Sequence, residues 1–489
     1  MDREYVRRML IFDFGNTSEG SVERVVAYIR QGFKVAFKYY PFLTGRLGPL
    51  THATKKNQVQ LRYGDSAATR AITPAIFKWK LHAENELSPS YSFLCARGMP
   101  VSHWKMDDYC AAPEEFEVED WPQALTLQAN FRMDGALVLC LAYLQCVAND
   151  VSIHQFLEKF AAGIRGSPIA QHSNIGEYKA PKLDKYIVPG AVGRFNDFPE
   201  WGCIEEHKGE RGIDEHPRES FIYTIPARKI QTVNAAMNRW AGATHISAID
   251  SICAIFWVEL TRARFGVDDE SYLENTRVFI TTDVRGILRP PLPKSYFGNM
   301  LARAVARYHA ESMLPPVHPE HNPGCNGRKF AIAGLIVRQA ISSINKAYVQ
   351  RRMALLEQLE EPVQASEACR RAAQSQSEDM MFESLDYFAA DINFGIPGAG
   401  IDGDGRPRWI RIPWMALEGA VYVLPRRRGL DANWEVLVCL GYPESRVLLH
   451  DSRLGQWAFS FTQDADALRG YHRYGRWFGN RRVTEATGL

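Results

Sequence analysis

The stretch "YLQCVANDVSIHQF", residues 143–156, gathers side chains that can do chemistry. It places Cys146 at the end of an apolar run, four residues before Asp150, and His154 about one turn into the helix that follows. A thiol here has three readings. It can pack as a small buried apolar group. It can act as a nucleophile if a nearby cation or helix N-terminus lowers its pKa. It can act as a weak base, a role in which an ordinary thiol, with a pKa of about 8.5, is mostly protonated at neutral pH. His154 faces either an interior, where an imidazole serves as a general base, or a surface, where it does nothing chemical. His245, before a helix, and His103, in a loop, are further imidazoles of lower rank. No P-loop, GxGxxG, GxSxG or HExxH motif occurs, and no metal-ligand cluster is expected.

The surrounding elements must hold this stretch in place. Val25, Ile29, Phe33 and Phe37 recur at helical spacing within residues 21–42, in a helix that Pro41 stops, with "LTGRLGP" read as a turn. "ALTLQANFRMDGALVLCLAYLQC" reads as two strands joined at Met133-Asp134-Gly135, and a helix is expected from Ser152 to Gly163 or Gly166. Later, "FIYTIPARKIQTVNAAMNRW" reads as strand then helix, and "HISAIDSICAIFWVELTRARFG" as an apolar helix opened by Ser247 and Asp250 at capping spacing. "TRVFITTDVR" and "WEVLVCLG" read as strands, residues 330–374 as mostly helical, and the C-terminal tail as loose. Strands alternating with helices in both halves argue for an α/β protein. The expected division is a first domain over 1–165, a Pro- and Gly-rich crossover over 166–218, and a second domain over 219–489.

Composition removes several function classes. The chain has 489 residues, too many for one ordinary core, with 46% hydrophobic and 23% charged residues and a formal net charge of +2. That balance gives no footprint for nucleic acid or an anionic membrane. No stretch approaches the ~20 apolar residues of a membrane helix, and the first residues do not form a secretory signal. The nine cysteines make no CxxC pair and read as buried free thiols. A cytoplasmic, monomeric enzyme or binding protein is expected.

Five blocks, in order, carry a resemblance that spans nearly the whole chain: "YIRQGFKVAFKYYPFLTGRL", "LTLQANFRMDGALVLCLAYLQCVANDVSIHQFL", "ISAIDSICAIFWVELTRAR", "TTDVRGILRPPLPKSYFGNM" and "DINFGIPGAG". Together they resemble the BAHD acyltransferases, in particular the fungal secondary-metabolism branch that includes the trichothecene acetyltransferase-like proteins. The resemblance implies two chloramphenicol-acetyltransferase-like α/β domains with a tunnel between them. In that family acyl-CoA enters as a co-substrate, no cofactor is bound, and a histidine of an HxxxD motif deprotonates the acceptor. Aligned on Asp150, the motif places Gln145 and Cys146 where the family commonly has two histidines, and Val151 where it has glycine. Arg285 of "DVR" is then the expected partner of Asp150, a structural pair. Tyr296 and Asn299 of "YFGN" shape the tunnel or form a structural turn. In the family's DFGWG place, Asn393, Ile396 and Pro397 replace its Asp, Trp and last Gly, with Ile396 expected along the tunnel. Asp386 lies on an approach the family uses to line its active site. Arg426–Arg428 either meet the 3′-phosphate of CoA or form a solvated face. The resemblance thus implies an acyl-CoA-dependent O- or N-acyltransferase of a small natural product with an altered centre. A repurposed fold that cyclises or rearranges an intermediate, or a non-catalytic binder, stays open beside it.

Overall fold

The computed structural model describes residues 3–64, 72–84, 86–166, 183–188, 192–202, 218–265, 275–313, 325–362, 379–413, 418–429, 432–450, 454 and 459–460. The first-half strands are Tyr5–Asp13 (β1), Arg46–Pro49 (β2), Val59–Arg62 (β3), Phe77–His82 (β4), Leu125–Arg132 (β5) and Ala136–Leu144 (β6). The second-half strands are Arg218–Ile225 (β7), Asn275–Asp283 (β8), Leu301–His309 (β9), Met380–Ser384 (β10), Trp409–Arg411 (β11), Ala420–Val423 (β12), Trp434–Gly441 (β13) and Phe459–Ser460 (β14). Among the described residues these form a sheet of order β11-β1-β6-β5-β4, a second of order β14-β7-β13-β12-β10-β8-β9, and the hairpin β2-β3. Of the expected turn over "LTGRLGP", the first part lies in a 3-10 turn, Pro41–Thr44, and the rest, after Gly45, is strand β2. There the chain gains cross-strand hydrogen bonds to β3.

Helix α1 (Glu19–Tyr39) buries Val25, Ile29, Phe33 and Phe37, the stripe read from the sequence, and Val22 beside them. It ends where Tyr40 is forced out of helical geometry by the proline after it. It lies against α2 (Asp150–Ile164). A Cβ on Gly32 would sit 2.9 Å from Phe160 and Ile164, and one on Gly163 would sit 2.8 Å from Val35, so only glycine permits this approach. Helices α3 (Ala227–Ala241), α4 (Ala248–Phe265) and α5 (Cys325–Ser343) bury their apolar faces in the core of the second sheet. The box at the start of α4 forms as expected. Ser247 N–H donates to Asp250 Oδ2 at 2.7 Å, and Asp250 N–H to Ser247 Oγ at 3.1 Å.

The two halves share one apolar core. Leu10, Phe12, Phe33 and Phe156 of the first half pack with Ile222, Phe297, Leu385, Phe388, Leu424 and Leu437 of the second. The late segment goes further: Phe388, Phe394, Ile396 and Ile410 sink into that core, and β11 pairs antiparallel with β1. Most of the expected crossover lies outside the described residues. Its described part buries Tyr186, Phe198 and Trp201 in the second core. The tail after residue 460 and residues 363–374 also lie outside the described residues.

Candidate functional site between the sheets

β6 ends at Leu144, and the chain turns through Gln145, Cys146 and Val147 before α2 begins at Asp150, two residues ahead of Ser152. Asn149 is the reason for the earlier start. Its Oδ1 accepts the Ser152 N–H at 3.2 Å and caps the helix. The second half grips this turn through Arg285, just past β8. Its Nη2 donates to Asn149 Oδ1 at 2.8 Å, to Ser152 Oγ at 2.8 Å and to Gly298 O at 2.6 Å, while Nη1 meets Asp283 Oδ2 at 2.5 Å. Ser152 Oγ also donates to Gly298 O and accepts the Gly298 N–H, each at 2.9 Å. Asn299 Nδ2 donates to the Gln145 carbonyl at 3.0 Å. The Tyr296 ring lies 5.6 Å from the Arg285 guanidinium. The "YFGN" block thus clamps both ends of the motif turn.

The expected Asp150–Arg285 pair does not form. Asp150 turns toward the first sheet, where Arg8 Nε reaches Oδ1 at 2.8 Å and Nη2 reaches Oδ2 at 2.9 Å. Tyr143 hydroxyl adds a third donor to Oδ1 at 2.8 Å. The helix geometry explains the correction. The capping residue points across the domain boundary, and the next residue, first in the helix, points back over β1 and β6. Burial works against the Arg8 charge, and Asp150 more than offsets it, so the guanidinium pKa is raised. Gln145 Oε1 and Asn149 Nδ2 are buried without a hydrogen-bond partner among the described residues, an arrangement that costs about 1–3 kcal/mol per group.

The other expected residues separate. Cys146 packs, half-buried, against the cluster of Tyr5, Met9 and Leu144 on one face of the first sheet. His154 Nδ1 accepts the Ala389 N–H at 3.1 Å. In the neutral ring the proton then sits on Nε2, which lies 3.8 Å from Glu158. Burial lowers the His154 pKa, with Glu158 and Asp391 opposing and Arg428 adding to the shift. Asp386 accepts the Ser384 hydroxyl at 3.0 Å. Ile396, at 2% exposure, packs in the shared core. Arg426 stacks 3.5 Å over Trp434 and Arg427 pairs with Asp404 at 2.9 Å, so of the three arginines only Arg428 stands mostly exposed. His103 sits edge-on to Phe93 at 6.0 Å, and His245 is exposed.

Glu383, on β10, was not singled out in the sequence. A lone acid in the apolar run "MMFESL" is its only signal. It sits beside Tyr422 in the parallel register with β12. Burial first, then the Asp150 charge, push its carboxyl up to about 7, while Arg8 and Arg303 pull the other way. Burial likewise raises the phenols of Tyr387, Tyr422 and Tyr143, each of which also feels Glu383 and Asp150. One charge-coupled cluster therefore joins the two sheets.

Comparison with known proteins agrees with this architecture. Residues 113–320 match the family model described as "Transferase family". The chain is 22% identical to the O-acetyltransferase ptmV of Penicillium ochrochloron over 91% of this chain and 92% of that one. It is 27% identical to putrescine hydroxycinnamoyltransferase 1 of Oryza sativa subsp. japonica over 66% and 68%. The crystal structure of F. graminearum TRI101 complexed with coenzyme A and deoxynivalenol superposes with a TM-score of 0.72 at 14% identity, covering 94% of this chain and 96% of that one. No helix among the described residues is long and apolar enough to cross a membrane. With the two-sheet fold and the clamped motif turn beside them, these matches make the chain similar to the transferase family over residues 113–320, and to fungal and plant acyl-transferring proteins over most of its length.

Proposed function

We propose that this chain moves an acyl group from a coenzyme A thioester to a hydroxyl or amine of a small secondary metabolite, at the seam between its two sheets. The observation that carries this reading is the clamp of Arg285, Gly298 and Asn299 on the motif turn. It keeps the family's active-site turn in a defined shape across the domain boundary. The acyl-transferring names of the relatives, and the coenzyme A bound to the F. graminearum protein, support the donor class.

The same clamp sets the frame of the motif. The residue paired with the arginine is Asn149, and the family's four-residue spacing counted back from it supports Gln145, in preference to Cys146, as the histidine's place. A side-chain amide takes up no proton at neutral pH, so the centre is altered and its base comes from elsewhere. That missing imidazole also favours a second reading, in which the pocket holds a natural-product intermediate in a near-reactive shape and promotes its cyclisation.

A thermal-shift titration with CoA and acetyl-CoA tests the choice. A ligand at about one hundred times its Kd adds about 2.7 kcal/mol of native-state stability. A saturable rise in Tm with both ligands is expected. No shift at millimolar CoA would overturn the transferase reading and leave the second.

A further inference from the structure

We propose that Glu383 is the proton acceptor of this centre, doing for the acceptor hydroxyl what the motif imidazole does elsewhere in the family. The proposal rests on the transferase reading above. Glu383 projects from β10, the strand hydrogen-bonded between β8 and β12 in the middle of the second sheet. The groups acting on it belong to both halves: Arg8 of β1, Tyr143 of β6, Asp150 of α2, Arg303 of β9, Tyr422 of β12 and Tyr387 just downstream. Phe382 beside it packs into the second sheet's core, whereas Leu385 and the paired Tyr422 pack into the core shared with β1, β6 and α2, so strand alternation turns Glu383 to the seam.

Three properties suit it to the role. Its carboxylate makes no hydrogen bond or ion pair with a described residue, unlike Asp150, whose two oxygens are taken. It is half-buried, so its carboxylate is not sealed in the core. Its carboxyl, lifted to about 7, is half ionised at neutral pH, where a general base works best. His154 lacks the first of these, because its Nδ1 lone pair is already used.

The step balances. The ionised Glu383 carboxylate takes the acceptor's O–H proton as that oxygen attacks the thioester carbonyl carbon. A carbon–oxygen bond forms and the carbonyl electron pair moves onto its oxygen. The tetrahedral intermediate collapses, the carbon–sulfur bond breaks, and the Glu383 carboxylic acid returns its proton to the leaving thiolate. An ester and a free thiol leave, and Glu383 is again a carboxylate.

The test needs no known acceptor, because water can be the nucleophile and acetyl-CoA the donor. Thiol release is measured from pH 5.5 to 8.5 for the wild type, Glu383→Gln and Glu383→Asp, with a CoA thermal shift on each. The expected result is a wild-type rate that rises through about pH 7. Glu383→Gln should lose roughly 100-fold or more, and Glu383→Asp should retain part of the activity. The CoA-induced shift should be unchanged in all three. Wild-type rates in Glu383→Gln, with the same pH profile, overturn the assignment and leave the transferase reading standing. A wild type that binds CoA but releases no thiol above background overturns both.

Discussion

The Arg8–Asp150 pair gives the sharpest test of how the motif is built. Both side chains are buried, at 6% and 9% exposure, and the contact is two-pronged at 2.8 and 2.9 Å. Arg8→Met leaves a buried carboxylate holding only the Tyr143 hydroxyl, and Asp150→Asn leaves a buried guanidinium facing an amide. Breaking one side of such a pair costs about 3–5 kcal/mol, because the remaining charge is stranded. The double variant strands neither charge, so it should cost about as much as one single. The coupling energy is then about 3 kcal/mol, at the upper end for residues in contact. A second cycle with Arg285→Met and Asp150→Asn should be additive to within about 1 kcal/mol, since Arg285 spends its donors on Asp283, Asn149, Ser152 and Gly298. Urea unfolding of each variant, read at constant slope, supplies the energies. Strong coupling of Asp150 to Arg285, with none to Arg8, would refute the geometry and restore the frame in which Cys146 replaces the histidine.

Three further outcomes follow. On the proposed frame, in which Gln145 stands in the histidine's place, Gln145→His should raise acetyl transfer in an acceptor screen while Cys146→His does not; the reverse pattern would return the frame to Cys146. Glu383→Gln should stabilise the protein at pH 8. A carboxyl raised from 4.5 to about 7 on folding is favourable below its unfolded value and loses that contribution as pH rises through about 7. The shift alone gives ~3 kcal/mol, and partial accessibility reduces it to about 1–2 kcal/mol, readable as a Tm that rises in the variant at pH 8 and not at pH 4. His154→Gln should leave turnover intact and flatten the acid side of the stability curve. An imidazole whose pKa burial lowers favours the native state above its ordinary range and loses that contribution as pH falls through its depressed value.

Much of this was legible in the sequence because period and punctuation are local. The stripe from Val25 to Phe37, the Met133–Gly135 bend, the Ser247–Asp250 box and the strand "WEVLVCLG" all appear where expected. The site was less legible, for a physical reason. A spacing rule counts residues, whereas side-chain direction at a helix start changes by a large angle from one residue to the next. Asn149 and Asp150 are neighbours in the chain, yet one faces the second half and the other the first. Glu383 was invisible for another reason. Its environment is assembled from β1, β6, α2, β9 and β12, and no single stretch of chain carries that information.

On the proposed frame, the Asn149-Asp150 step also explains how the motif tolerates an amide beside its arginine. Arg285 takes its carboxylate from Asp283, two residues away, so Asn149 need only accept a hydrogen bond and its neutral amide suffices. The acid at the next position is then free to serve elsewhere, and Arg8 and Tyr143 hold it beside the seam. There its negative charge helps to raise Glu383, against the pull of Arg8 and Arg303. Loop shape and acidity are thus carried by adjacent residues of one helix start. Removing the Asp150 charge should therefore lower the Glu383 pKa, because repulsion is lost while Arg8 is left unpaired. In Asp150→Asn the rise of thiol release with pH should move to lower pH. If that midpoint stays where the wild type has it while Glu383→Gln still abolishes the reaction, Glu383 is the base but Asp150 does not tune it.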